Sequence, residues 1–240
     1  MAKFIDTHIH LQDFKPDFAP QVLANPELQK AVLISAEVKD WEQISALVKA
    51  YSDRLIPAFG VHPWHYGESF DVELLKEKLK AFPHALVGEI GVDQLKEPVN
   101  DKQHQLFSAQ IRVAKEFNRP VVIHAAKAFM ALTEHENELK EVRYVHHGFT
   151  KNFELLKFVI KSGGYVGLGA LFLRQEKARE MFQMIPENKV LFETDAPYQA
   201  DETRYNEIVQ ENLLKLSEIA GIPVKDLSAR LLQNAEQFIG

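Results

Sequence analysis

At 240 residues the chain is longer than the ~100–150-residue domain mode, but this is the length at which α/β barrels form a single unit. Hydrophobic residues at 46% and charged residues at 26% exclude general disorder, and a formal charge of −6 excludes a protein that coats nucleic acid with a basic surface, while local engagement of a chain end stays open. With no cysteine, disulfides and thiolate metal sites are excluded, so any metal must be held by His, Asp or Glu.

The first residues, Met1-Ala2-Lys3-Phe4-Ile5-Asp6, lack the basic and then apolar stretches of a signal peptide, and no apolar run approaches the ~18 residues of a membrane span. A cytoplasmic protein without membrane association is expected. Eight short runs rich in Val, Ile, Leu and Phe then follow in order: Lys3 to His8, Ala31 to Ala36, Leu55 to Val61, Ala85 to Ile90, Pro120 to His124, Arg143 to His147, Gly164 to Leu168 and Val190 to Asp195. Between them, Trp41 to Ser52, Val72 to Phe82, Asp101 to Asn118, Asn152 to Ser162 and Arg174 to Ile185 carry apolar residues at three- and four-residue spacing, the period of a helix buried on one face. The segment Gln94 to Val99 reads as a loop. Two helical stretches, Glu202 to Ala220 and Val224 to Ile239, close the chain, divided by Gly221-Ile222-Pro223. Strands alternating with helices predict a parallel sheet, and eight such units predict a (β/α)₈ TIM barrel. No linker or low-complexity stretch interrupts the pattern, so residues 1–240 are expected to form one domain.

The unusual residues fall at the ends of those runs. His8 and His10 follow the first, Glu89 ends the fourth, His124 the fifth, His147 the sixth and Asp195 the eighth. In a (β/α)₈ barrel these ends converge on one face, where active sites of the architecture are built. His8 and His10, two apart on an extended segment, project to the same side. The alternative for that pair is two polar residues in a loop. Glu89 sits in an apolar strand, where an unpaired charge is costly, so a partner cation or a hydrogen-bond network is required; the alternative is an ion pair with a neighbouring lysine. His124 has the alternative of a hydrogen-bonded core histidine, and Asp195 that of a turn cap. Of the adjacent His146 and His147, strand alternation allows one to face the mouth; His147 is preferred and His146 is the alternative.

The chain resembles the TatD family of metal-dependent hydrolases, within the wider amidohydrolase-like barrels. The resemblance is carried in order by Asp6-Thr7-His8-Ile9-His10-Leu11, Gly60-Val61-His62-Pro63, Gly88-Glu89-Ile90-Gly91-Val92-Asp93, Val122-Ile123-His124, His147-Gly148-Phe149-Thr150 and Glu193-Thr194-Asp195-Ala196-Pro197. Asn234 is similar to an Asn near the family's C-terminus. The resemblance implies a metal-dependent hydrolase of phosphodiester bonds, a deoxyribonuclease with DNA as its substrate. It implies two divalent ions, one on His8, His10 and Asp195 and one on His124 and His147, with Glu89 bridging them. His-rich ligation suits Zn, Mn, Ni or Fe, whereas the family is commonly associated with Mg. Glu89 and Asp195 are the expected catalytic residues, Asp195 as general base. His62, Asp93 and Lys127 are candidate groups contacting substrate or orienting a ligand, and Trp64, Phe149 and Tyr198 are candidate platforms for a base.

Two departures stand out. Ala125, Ala126 and Lys127 follow His124 where many members carry an Arg two positions on, and Lys151 replaces a small Gly. They leave open hydrolysis of an ester, amide or lactone on the same barrel. A non-catalytic binding protein is the remaining alternative, and it predicts eroded metal ligands.

Overall fold

A computed structural model describes residues 2–67 and 70–240, so that Met1 of the amino-terminal run lies outside the described residues. Its strands are β1 (Phe4–Ile9), β2 (Leu28–Ile34), β3 (Leu55–Phe59), β4 (Leu86–Asp93), β5 (Val121–Ala126), β6 (Tyr144–His146), β7 (Tyr165–Leu168) and β8 (Val190–Phe192). They form one sheet in sequence order, every neighbouring pair parallel. The sheet curls until β1 meets the segment leaving β8, where Asp195 N donates to His8 O (2.8 Å), His10 N to Ala196 O (2.8 Å) and Thr7 Oγ1 to Phe192 O (3.0 Å). The (β/α)₈ barrel anticipated from the alternation of runs is the fold.

Between and after the strands lie α1 (Ala19–Leu23), α2 (Asp40–Ala50), α3 (Val72–Ala81), α4 (Asp101–Glu116), α5 (Phe129–Thr133), α6 (Glu136–Leu139), α7 (Phe153–Lys161), α8 (Ala170–Leu173), α9 (Ala178–Met184), α10 (Tyr205–Ala220) and α11 (Val224–Ile239). Among the described residues, no helix is long and apolar enough to cross a membrane. Alternation along each strand produces two apolar layers. Ile5, Val32, Ile34, Ile56, Ala58, Leu86, Val122, Val145, Tyr165 and Leu191 fill the interior, and Phe238 of α11 closes its base against Tyr165, ring centroids 5.1 Å apart. Phe4, Leu33, Phe59, Val87, Ile123 and Leu168 point outward into the helical layer.

The boundaries depart from the sequence reading in instructive places. The eighth strand stops at Phe192 rather than Asp195, because Asp195 adopts a left-handed backbone (φ 52°) and the chain there bonds to β1 instead of β7. The sixth stops at His146. The fourth and fifth run on together to Asp93 and Ala126, an extension permitted by Gly91, whose φ is 149° and where a Cβ would lie 1.9 Å from the His124 carbonyl oxygen. The helix expected over Arg174 to Ile185 is divided: α9 begins only at Ala178, after a turn closed by Gln175 N to Phe172 O and Ala178 N to Gln175 O. Gln94 to Val99 is a loop, as read.

Candidate functional site

All six residues singled out for metal or catalysis, His8, His10, Glu89, His124, His147 and Asp195, converge at the C-terminal end of the barrel, and His62 and Asp93 join them. The site begins with β1. His8 Nε2 and His10 Nε2 are 3.1 Å apart, and Asp195 Oδ1 lies 3.6 Å from the first and 3.4 Å from the second. Asp6 ties this seam shut: its carboxylate accepts from Thr194 N (3.0 Å), Thr194 Oγ1 (2.6 Å), Tyr205 OH (2.7 Å) and His8 N (3.2 Å). Burial lifts the Asp6 carboxyl to about 6 against the pull of those donors.

Glu89, in the centre of β4, reaches both sides of the cluster. Its Oε2 is 3.6 Å from His8 Nε2, while its Oε1 is 2.8 Å from His124 Nδ1 and 2.5 Å from His147 Nε2. His124 Nδ1 and His147 Nε2 are 3.2 Å apart. Two donor groups are thus formed, and one carboxylate faces both. The far nitrogen of His124, Nε2, lies 2.6 Å from Asp93 Oδ2, the arrangement by which a carboxylate fixes the tautomer and orientation of a metal-binding imidazole. Asp93 is held in turn by Leu95 N (2.6 Å), and Gln103 Oε1 accepts from its backbone N–H (2.9 Å).

The electrostatics suit a cation. Burial would raise the Glu89 carboxyl, yet the charge of His147 and the bonds from His124 and His147 hold it well below its usual range, so it is an anion. His8 is driven well below the ordinary histidine value by burial and by the charge of His147, leaving a neutral imidazole with a lone pair to lend. His147 is raised to about 10: burial lowers it, but Glu89 more than compensates. Ring nitrogens facing one another at 3.1 and 3.2 Å around ionised carboxylates are a donor set that a divalent cation satisfies on both sides of Glu89.

His62 lies on the loop after β3. Its Nδ1 accepts from Trp64 N (3.1 Å) at the start of a 3₁₀ turn, and burial lowers its pKa to about 3, so the neutral ring carries its proton on Nε2, 3.9 Å from Glu89 Oε1. Lys127 is not brought to the site. It is an exposed left-handed turn residue (φ 52°) outside the cavity wall, because β5 extends to Ala126 and carries the following residue past the mouth. Lys151 is likewise exposed and away from the cavity wall. Phe149 is buried against His146 and Phe172 and offers no platform, whereas Trp64 and Tyr198 are exposed at the cavity. Strand alternation does not decide between the paired histidines, since His147 follows the last residue of β6; both line the cavity, and Glu89 meets His147. Asn234 is remote, donating to Glu187 O and Val190 O beneath β8.

Some neighbours of the site were not read from the sequence. Gln199 Nε2 donates to Asp195 Oδ2 (2.6 Å). Glu193 is buried, accepts from Gly148 N (2.5 Å) and lies 4.0 Å from His147 Nδ1; it fits only because residue 167 is glycine, where a Cβ would be 2.0 Å from its Oε2. The signal for Gln199 is only its proximity in sequence to Asp195, whereas Glu193 opens one of the motifs that carry the family resemblance. Above the cluster opens a cavity of about 580 Å³, within the range of small-ligand sites.

The family model for TatD related DNase matches residues 5–240 of this chain. The chain belongs to the TatD family. Among its relatives this TatD hydrolase is 29% identical over 211 residues to the uncharacterized metal-dependent hydrolase YjjV of Escherichia coli, spanning 82% of this chain and 80% of YjjV. The crystal structure of YjjV, a TatD homologue, superposes with a TM-score of 0.83 over 98% of this chain and 97% of YjjV at 27% identity. An uncharacterized metal-dependent hydrolase of Haemophilus influenzae is 27% identical over 259 residues, 98% of each chain. A dihydroorotase of Campylobacter jejuni shares the barrel at 11% identity, with a TM-score of 0.60 over 99% of this chain and 83% of its own, a likeness of fold alone. The chain is a metal-dependent hydrolase with buried His, Glu and Asp clusters suited to metal binding.

Proposed function

We propose that this hydrolase cleaves phosphodiester bonds, with a DNA chain end as substrate, using two divalent cations. His8, His10 and Asp195 would hold one, His124 and His147 the other, and Glu89 would lie between them. The observation that supports this most is the division of Glu89, one oxygen toward His8 and the other toward His124 and His147. Imidazole-rich ligation favours Zn, Mn, Ni or Fe over Mg. Bound there, such ions supply Lewis acidity that polarises a phosphoryl oxygen and makes a water easier to deprotonate.

The chain's own residues do the rest. Asp195, kept anionic by His10, His8 and His147 against burial, accepts the water's proton, and Gln199 fixes its second oxygen in place. The Nε2 proton of His62 is aimed into the cluster and donates to an oxygen of the substrate. Asp93 holds the His124 ring in register. Trp64 and Tyr198 offer faces on which a base can stack.

The test is hydrolysis of single-stranded DNA with free ends by protein loaded with Zn, Mn, Ni, Fe or Mg. Glu89→Gln and Asp195→Asn should each lower kcat by about 10²-fold or more. No cleavage with any metal refutes the nuclease reading. A second reading, hydrolysis of an ester, amide or lactone, is favoured by one feature: among the described residues, the cavity wall contains no arginine.

A further inference from the structure

Of the large apolar residues exposed on this surface, Trp64, Leu95, Leu171 and Tyr198 all stand on the wall of the one cavity above the histidine cluster. They come from the segments after β3, β4, β7 and β8, so the apolar surface surrounds the site rather than marking one side. Tyr198 packs edge-on to His10 and Trp64 edge-on to His62, each at 5.0 Å between ring centroids, which places both rings within one side-chain length of the cluster. The charged part of the wall is acidic. Asp13, Glu37 and Asp40 line it beside what is, among the described residues, a single lysine, Lys39, which is ion-paired with Glu37. These carboxylates act on one another: burial raises the Asp40 pKa, and the charges of Asp13 and Glu37 raise it further, against the lowering bonds from Ala36 N and Glu37 N. Lys96, nearby, is engaged over the Trp64 ring, 3.7 Å from its centroid. A polyanion bound along this mouth would meet carboxylates where nucleic-acid sites present Lys and Arg.

We infer that the mouth selects a small substrate with one anionic ester at the cluster and a flat, uncharged body against Trp64, Leu95, Leu171 and Tyr198, and that Asp13, Glu37 and Asp40 turn away a second phosphate. The inference rests on the phosphodiester reading and narrows it away from a DNA chain: a chain end carries a second phosphate one nucleotide along, so the substrate described is a mononucleotide ester.

The metal-loaded protein is offered thymidine 5′-(4-nitrophenyl phosphate) and the same compound bearing a 3′-phosphate. The expected result is a kcat/KM at least about tenfold higher for the compound without the 3′-phosphate, falling by about threefold or more in preference when Asp13→Asn and Glu37→Gln are combined. Equal values, or a preference unchanged by the two substitutions, overturn it. If neither compound is hydrolysed with any metal, the phosphodiester reading fails separately. Selectivity is then read by calorimetric binding of thymidine 5′-monophosphate and thymidine 3′,5′-bisphosphate to the same metal-loaded protein. Tighter binding of the monophosphate supports the inference, and equal or tighter binding of the bisphosphate overturns it.

Discussion

Asn234 resembles a family residue, yet it lies on α11 beneath the barrel, 3% exposed, and its role is set by two bonds. Its Nδ2 donates to Glu187 O at 2.8 Å and to Val190 O at 2.9 Å, pinning the last helix to the start of β8. Asn234→Ala removes both donors. A buried carbonyl left without a partner costs ~1–3 kcal/mol, and the Glu187 carbonyl is partly accessible and can take a water, so the expected loss is about 2–3 kcal/mol. For a chain of this size each kcal/mol moves Tm by ~2–4 °C, giving a fall of roughly 8 °C. Asn234→Asp should be worse, because it turns a carboxylate oxygen toward two carbonyl oxygens in a buried place; a loss of about 3–5 kcal/mol is expected. Equilibrium urea unfolding and thermal melts of the three proteins measure the series, and metal content per folded molecule should stay constant across it. An Ala variant within ~0.5 kcal/mol of the parent, or one less stable than the Asp variant, refutes the bracing role.

Lys127→Ala should leave kcat/KM for any accepted substrate within about twofold, since the side chain is exposed and away from the cavity wall; a larger loss would show that the loop after β5 folds over the substrate. Gly91→Ala should fail to give soluble protein, because the obstructing atom is the His124 carbonyl oxygen 1.9 Å from the added methyl and the φ of 149° is closed to alanine. A soluble variant with an ordinary melt would show that β4 and β5 separate there without penalty.

Much of the site is legible in one dimension because barrel strands all deliver their C-terminal ends to one face. Once the runs ending near His8, Glu89, His124 and His147 are recognised as strands, their last polar residues are brought together by the architecture. Lys127 is a candidate only through the resemblance, as the nearest cation where relatives carry an Arg after His124, and it is not brought to the cavity wall: two further β4–β5 partner pairs, Val92 with Ala125 and Asp93 with Ala126, lie between His124 and it. Phe149 reads as a platform because it is aromatic and near His147, but sequence does not say which way a loop residue turns, and the ring is buried against His146 and Phe172.

The order of strands, the apolar layers on both faces of the sheet and the position of the polar residues along each run are written in local pattern, because parallel strands buried on both sides must be apolar except where they end. What depends on contacts between distant segments was decided by the tertiary structure alone. Asp195 faces His8 through a left-handed residue that joins the last strand to the first, and Glu193 enters a space cleared by Gly167. The two sides of Glu89 are likewise defined by histidines from β1, from β5 and from the residue just after β6. The carboxylates, aromatic rings and leucines of the mouth come from the segments after six different strands, and only closure of the barrel makes them one wall.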